Sequence, residues 1–462
     1  MTAVQSVGNM DLRNPNTTWE SGREQGKKLR QKIPREAQGE FVPAKDRPDP
    51  VEIIIESNKG RLEHLVPLRM QRMAESEFAF LRGAAGIMAA DLSPPLVTGV
   101  QVQMDGDAHV NNFGLYGTAD GEIVFDLNDF DETLPGHWEW DLKRLAVSIL
   151  VAGRANRFGK SVRRAAVMDC VRGYRTNLQR LETMGVLQTW NLHSHPGEEN
   201  PLRQMDQQSR LVFNKAVKAA GLQNNNSLLE RITILDTNGK RQFRENPPIL
   251  TKIDVQTREE VIDGLNAYAL SLRPEMRYLL GRYQVVDVVH RVVGVGSVGS
   301  RAYLALLVGN GDHDPLFLQV KEGWPSASAP FLPPVPPEMA HEGKRVIVGQ
   351  RALQARSDIL LGWTNVGERP FYVRQMKNLK GSIPVLSLAE TPFRFYAWAC
   401  GSVMARAHAR TGNAAAIAGY CGKAQQLDRA IALFAESYAD QNARDYASLL
   451  AAIAAKRIAV AA

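Results

Sequence analysis

The chain has 462 residues, with 56 basic and 49 acidic side chains and a formal net charge of +7. At 44% apolar and 23% charged it has the composition of a folded globular protein, which excludes wholesale disorder, collagen and coiled coil. No apolar run reaches the roughly 18–20 residues of a membrane helix, the start lacks a basic-then-apolar leader, and Cys170, Cys400 and Cys421 include no C-x-x-C pair. The expectation is a cytoplasmic protein with no disulfide framework, no thiolate zinc site and no membrane partner.

The first fifty residues are polar and carry no sustained apolar period, which predicts a flexible arm over 1–50. Within it, residues 23–35 hold six basic side chains and one acidic, so this segment supplies five of the seven net charges. Such a cluster can meet an acidic partner. The rest is close to neutral and shows no basic stripe interleaved with aromatics, so no specific nucleic-acid partner is expected. From Pro50 a helical apolar period runs through Ile54, Leu62, Leu65, Leu68 and Met73 into FAFLRGAAGIMAADL, and residues 98–104 alternate like a strand. Residues 138–180 and 257–282 read as helices. The polar stretch 191–208 between them includes His193, His195, Glu198 and Glu199, whose spacing suits a solvated loop better than a metal site. Over 285–320 the period becomes two, giving three strands (VVDVVHRVV, RAYLALLV and LFLQV). A Pro-rich extended loop at 325–337, a helix over 342–353, a hairpin turning at 365–368 and Ala-rich helices from Leu388 complete the pattern.

The densest chemistry lies in Asp105-Gly106-Asp107-Ala108-His109-Val110-Asn111-Asn112 and in VFDLNDFDE at 124–132. Carboxylates on tight backbone with an amide nearby suit a hard cation such as Mg²⁺, which completes its shell with substrate phosphates. Asp107 and Asn112 are five apart, the spacing of base and metal-binding Asn in a kinase catalytic loop. Asp129 lies 22 residues beyond Asp107, and Asp131 offers a second carboxylate. His109, beside this loop, is as suited to packing or hydrogen bonding as to catalysis. Arg82 suits a structural ion pair or an anionic substrate. Downstream, Gly294, Gly296, Ser297 and Gly299 fall in a G-x-G-x-x-G run. A dinucleotide site needs a helix after those glycines; here an alternating strand follows, which favours a phosphate-covering loop between strands. The third strand then delivers Lys321 to the phosphates. Glu342, heading the next helix, is the expected partner of Lys321, with Glu338 and Gln350 as alternatives.

Taken together, GDAHVNN, DLNDFDE, and a Gly followed by WDLKRLA resemble the catalytic core of aminoglycoside phosphotransferases and related small-molecule kinases. The resemblance implies Asp107 as catalytic Asp, Asn112 and Asp129 as metal ligands, Asp141 as a structural Asp, and ATP and Mg as cofactors. Asp105 departs from the pattern, standing where many such enzymes have His. Residues 396–410 (YAWACGSVMARAHAR) resemble the helix that precedes the catalytic loop in those enzymes, and residues 375–380 the hinge near the adenine. The parts run in circularly permuted order. The implied fold is α+β, a protein-kinase-like two-lobed unit. It comprises an arm (1–50), a helical lobe with the catalytic loop (51–284), a small β-rich nucleotide-binding lobe (285–381) and a returning helical segment (382–462). Residues 50–455 are also similar to an uncharacterised bacterial family catalogued as domain of unknown function 2252, which brings no substrate with it. The expected function is ATP- and Mg-dependent phosphoryl transfer to a hydroxyl of a small molecule or protein. Nucleotidyl (AMP) transfer and a nucleotide-binding pseudokinase remain alternatives, and the acceptor has no readable code.

Overall fold

The computed structural model describes residues 18–93, 96–192, 205–292, 294, 296, 298–311, 313–376 and 379–461. The architecture is mixed α+β. Its largest core surrounds the helix Trp138–Ala155, which is buried on every face from Trp138 to Gly153. A helix apolar nearly all round has no solvent side, and three others enclose it: Lys160–Leu181, Glu390–Thr411 and Gln426–Ala454. Cys170, Cys400 and Cys421 are buried and free. Among the described residues no helix is long and apolar enough to cross a membrane.

Two antiparallel ribbons position the acidic segments. Strand β1 (Gln101–Met104) leads through residues 105–112 into β2 (Phe113–Gly117), which pairs with β3 (Ile123–Leu127). From β3 the chain crosses residues 128–133 into β4 (Leu134–His137), which returns to pair with β1. The two acid-bearing loops therefore emerge side by side. They are stitched where the Asn128 N–H donates to the Asn112 carbonyl at 2.9 Å. Gly106 sits at φ +83, and a Cβ there would lie 2.1 Å from the Glu132 carbonyl oxygen, so this close approach requires glycine.

After the ribbon of β5 (Thr233–Leu235) and β6 (Arg241–Phe243), β7 (Leu250–Lys252) joins a six-stranded antiparallel sheet. Its other strands are β8 (Gln284–Arg291), β9 (Ala302–Val308), β10 (Pro315–Glu322), β11 (Gly362–Val366) and β12 (Arg369–Gln375). The spatial order is β11-β12-β10-β9-β8-β7, with helix Glu342–Leu353 inserted between β10 and β11. Alternation along the strands fills two cores. Tyr303, Ala305, Leu307, Leu316 and Leu318 pack on Val261, Leu265 and Tyr268, whereas Leu304, Leu306 and Phe317 pack on Leu228, Leu229 and Phe243.

Two expectations on domain limits are corrected by this packing. The β-rich unit does not begin at residue 285: elements from Asn225 onward already bury their apolar faces on the sheet. Their sequence period announces a buried face without saying which body buries it. Nor is the basic segment a loose arm. Trp19–Lys32 is a helix capped by Thr18, docked on helix Ala414–Cys421. Gly22 and Gly26 make that docking possible, since a Cβ at Gly26 would lie 1.9 Å from the Ala416 carbonyl oxygen. Three of its cations are spent within the fold. Arg23 pairs with Glu182, Arg30 donates to the Tyr420 carbonyl at 3.0 Å, and Arg35 to the Cys421 carbonyl at 3.1 Å.

Candidate active site

The 105–112 loop is built on buried polar anchors. Asp141, in the first turn of helix Trp138–Ala155, accepts the backbone N–H groups of Asp105 at 2.7 Å and Gly106 at 2.9 Å. His408 lies behind it, with Nε2 3.1 Å from Asp141 and Nδ1 2.8 Å from the Tyr174 hydroxyl. Asp105 is 1% exposed, and burial together with the neighbouring Asp141 and Asp107 charges pushes its carboxyl well above the usual range. Its Oδ2 anchors the loop by accepting from Asn112 Nδ2 at 2.8 Å. That amide also reaches the Asp129 carbonyl at 3.0 Å, which ties the two loops together a second time.

Asp107 is fixed by Arg144, whose Nε donates to Oδ1 at 2.6 Å; its Nη2 reaches the Leu81 carbonyl at 2.9 Å. Burial raises the Asp107 carboxyl to about 6, the Arg144 charge only partly opposing it. Such a group is ionised at neutral pH yet basic enough to accept a proton. His109 Nε2 stands 3.6 Å from Asp107, and burial, aided by the charges of Arg82 and Arg144, keeps that imidazole neutral. Asp129 behaves in the opposite sense. Desolvation alone would raise it, but Lys321, Arg374 and Lys380 outweigh that and hold it at about 2.

The glycine-rich segment links β8 to β9, strand to strand, without the helix a dinucleotide site would need. Gly294 and Gly299 take φ +65 and +85. Carbonyls of this segment are held by residues 61–72. Arg72 donates to the Gly294 carbonyl at 2.6 Å, Arg61 to that of Val298 at 2.8 Å, and the Leu62 N–H to that of Gly299 at 2.8 Å.

A cavity of about 750 Å³ brings most of these groups together. Asp107, Asn112, Asp129, Asp131, Gly294, Gly296 and Lys321 all line it. Ser297 lies outside the described residues, as do His193, His195, Glu198 and Glu199. Gly299 does not line the cavity and packs instead on Arg61.

One expected pairing is not realised. Glu342 does not meet Lys321; it accepts from Arg345 one turn along its own helix. Lys321, 3% exposed, pairs instead with Asp131, whose other oxygen accepts the Tyr372 hydroxyl at 2.5 Å. Burial alone would depress Lys321, but Asp131 and Tyr372 keep it firmly charged. Asp131 lines the cavity with each oxygen already accepting one hydrogen bond, from Lys321 and from Tyr372. Sequence reasoning missed Arg144, Tyr372, Arg61 and Arg69. Only Tyr372 had a usable signal, since a strand antiparallel to β10 must place some residue opposite Lys321, and the register makes it Tyr372.

Among the described residues no group of three or more His, Cys, Asp or Glu side chains forms a metal cage. The donors fit a different kind of site. Asp129 is ionised and open to the cavity, and Asn112 commits its NH₂ to the loops, so its carbonyl oxygen remains available. One carboxylate and one amide oxygen suit a cation that takes its remaining ligands from phosphate and water.

The molecule is thus a mixed α+β protein whose two acidic loops and glycine loop share one cavity. The chain belongs to the family described as "Uncharacterized protein conserved in bacteria (DUF2252)", which matches residues 61–452. No curated protein and no solved structure shows a significant match.

Proposed function

We propose that this protein is an ATP- and Mg²⁺-dependent phosphotransferase of kinase-like, circularly permuted architecture, acting on a hydroxyl acceptor. The observation that carries this reading is convergence. Asp107, Asn112, Asp129, Gly294, Gly296 and Lys321 come from segments up to 214 residues apart and line one cavity. The succession strand, glycine loop, strand, Lys-bearing strand, helix, hairpin matches the small lobe expected from the resemblance. The permuted order also has support. Thr411, at the end of helix Glu390–Thr411, accepts the Gln103 N–H at 3.0 Å. That helix therefore ends beside the entry to the 105–112 loop, where an unpermuted chain would continue.

In this reading the backbone of the glycine loop covers the nucleotide phosphates and Lys321 neutralises them. Asn112 and Asp129 would hold the metal, which when bound would neutralise charge on the transferred phosphoryl group. Asp107 orients the acceptor hydroxyl. The acceptor oxygen forms a bond to the γ-phosphorus while the bond to the β–γ bridging oxygen breaks. The electron pair leaves on the nucleoside diphosphate, and the hydroxyl proton passes to Asp107. Arg144 keeps that carboxylate in place.

The test is a thermal-shift titration with MgATP on wild type, Lys321→Ala and Asp129→Asn. Wild type is expected to be stabilised by nucleotide and both variants much less so. Absence of any nucleotide-dependent stabilisation in wild type, across several divalent metals, overturns the reading. ATP labelled at the α- or the γ-phosphate separates phosphoryl from nucleotidyl transfer in the same samples.

A further inference from the structure

Three guanidinium groups around the cavity form no salt bridge with a carboxylate among the described residues, although the charges of Glu132, Asp131 and Glu322 reach Arg61, that of Glu132 reaches Arg69, and Arg82 acts on Asp107. Arg61 donates to the carbonyls of Ser57 and Val298 and lies over the Trp324 ring, all neutral contacts. Arg69 is 2% exposed and is held by Ser57 Oγ, Asn58 Oδ1 and the Gly83 carbonyl. Arg82 makes no hydrogen bond or ion pair among the described residues, and its Nε is a buried donor without an acceptor. All three line the cavity.

Several desolvated arginines elsewhere in this molecule are matched by carboxylates, whereas Arg374 and Arg410 are held by carbonyl and amide oxygens. Arg47 meets Asp91 and Asp445, Arg175 meets Asp428, and Arg406 meets Asp126. A desolvated guanidinium lacking an anion is costly, and the planar fork of Arg is the group best suited to carboxylate or phosphate. Arg82 is also placed at the reacting end: Arg144 bonds to both Asp107 and the Leu81 carbonyl, and the Arg82 charge is felt at Asp107 and His109. Lys321 and the glycine loop already provide for the nucleotide phosphates in the reading above, so the arginines face a second anionic group.

We propose that the acceptor hydroxyl belongs to an anionic molecule, one bearing a phosphate, carboxylate or sulfate, whose charged group is bound by Arg82 with Arg61 and Arg69 behind it. This rests on the phosphoryl-transfer reading and names its acceptor class. The charged group undergoes no bond change; it anchors the acceptor so that its hydroxyl lies against Asp107.

The experiment uses full-length protein and two titrations by calorimetry. The first adds the Mg²⁺ complex of a non-hydrolysable ATP analogue, and the second adds inorganic phosphate to protein saturated with that analogue. Arg82→Gln and the charge-keeping Arg82→Lys are compared with wild type, with circular dichroism melts showing that each is folded. The expected result is phosphate binding on top of bound nucleotide, weakened about tenfold or more in Arg82→Gln, partly restored in Arg82→Lys, and nucleotide affinity changed less than about twofold. If phosphate and nucleotide exclude one another, or if Arg82→Gln weakens both equally, the arginines serve the nucleotide and the proposal falls. Binding of nucleotide but no phosphate also overturns it while leaving the transfer reading intact. Failure of the nucleotide analogue to bind overturns the transfer reading itself, and the acceptor assignment with it.

Discussion

The pair between Lys321 and Asp131 spans the β-rich body and the second acidic loop, and its worth can be isolated by a double-mutant cycle. Lys321→Met removes a side chain that is 4% exposed and leaves Asp131, 31% exposed, without its cation. Breaking a fully buried pair costs about 3–5 kcal/mol, while a fully exposed pair is worth about 0–1 kcal/mol. With one partner buried and the other about one-third open, about 2–3 kcal/mol is expected for Lys321→Met. Asp131→Asn strands a buried ammonium and should cost about 2 kcal/mol or somewhat more, although Asp129 nearby softens the loss. Lys321→Met/Asp131→Asn removes both charges and leaves only lost packing and an altered bond to Tyr372, about 1–2 kcal/mol. The coupling energy is then about 2–4 kcal/mol, read from urea unfolding curves at pH 7 with unchanged m-values. Single-mutant costs that add within about 0.5 kcal/mol refute the pairing. The same variants also separate structure from function. Asp131→Asn should still be stabilised by MgATP because Lys321 remains, whereas Lys321→Met should not.

The pH profile of phosphoryl transfer should show an acid limb near pH 6, where Asp107 gains a proton. The ionised form is present above that value and is lost as pH falls, so kcat/KM declines by about tenfold per unit below it. Arg144→Gln removes an attraction for the carboxylate and should move the limb upward; a limb that stays in place or moves down refutes the assignment of Asp107 as the base. Gly26→Ala should destabilise the protein by about 1–3 kcal/mol, because its Cβ lands 1.9 Å from the Ala416 carbonyl oxygen. An unchanged melting temperature would return residues 19–32 to a loose arm. Asp141→Asn replaces an acceptor of two backbone N–H groups by an amide that can offer one oxygen, and should cost about 1–3 kcal/mol. Equal stability with wild type, measured by the same urea curves, would mean that Asp141 does not hold the loop.

What could be read from sequence follows from how local each signal is. The β8 to β10 run, helix Glu342–Leu353 and the β11–β12 hairpin were legible because alternation, turn glycines and helical period are all short-range. The grouping of Asp107, Asn112 and Asp129 was legible because one small segment holds all three, in a spacing tied to known chemistry. The partners of Lys321 and Asp107 were not. Asp131 lies 190 residues before Lys321 and Arg144 lies 37 after Asp107, and nothing in a linear pattern records which charges meet across a cavity. The Trp19–Lys32 helix was missed for a different reason. Its contact is made by backbone approaching at Gly22 and Gly26 rather than by an apolar stripe, so a hydrophobic period could not reveal it. The four-residue spacing of those glycines was the available signal.

The failure of Glu342 to reach Lys321 has a structural cause with functional consequences. Helix Glu342–Leu353 is pressed onto its neighbours at two glycines: a Cβ at Gly343 would lie 2.1 Å from the Phe371 carbonyl oxygen, and one at Gly349 would lie 2.3 Å from the Thr133 side chain. Arg345, 1% exposed, then bonds the carbonyls of Asp131, Thr133 and Trp324. The helix is thereby locked to the second acidic loop, with its glutamate turned back onto Arg345. Lys321 is consequently placed by Asp131, two residues from Asp129, rather than by a carboxylate on a helix that could swing away. In the proposed reading, the cation site at Asp129 and the phosphate site at Lys321 thus depend on one short piece of backbone. Displacement of that loop should disturb both, so nucleotide and metal affinities are expected to change together in Arg345→Met. Variants that changed one affinity and left the other untouched would break this link.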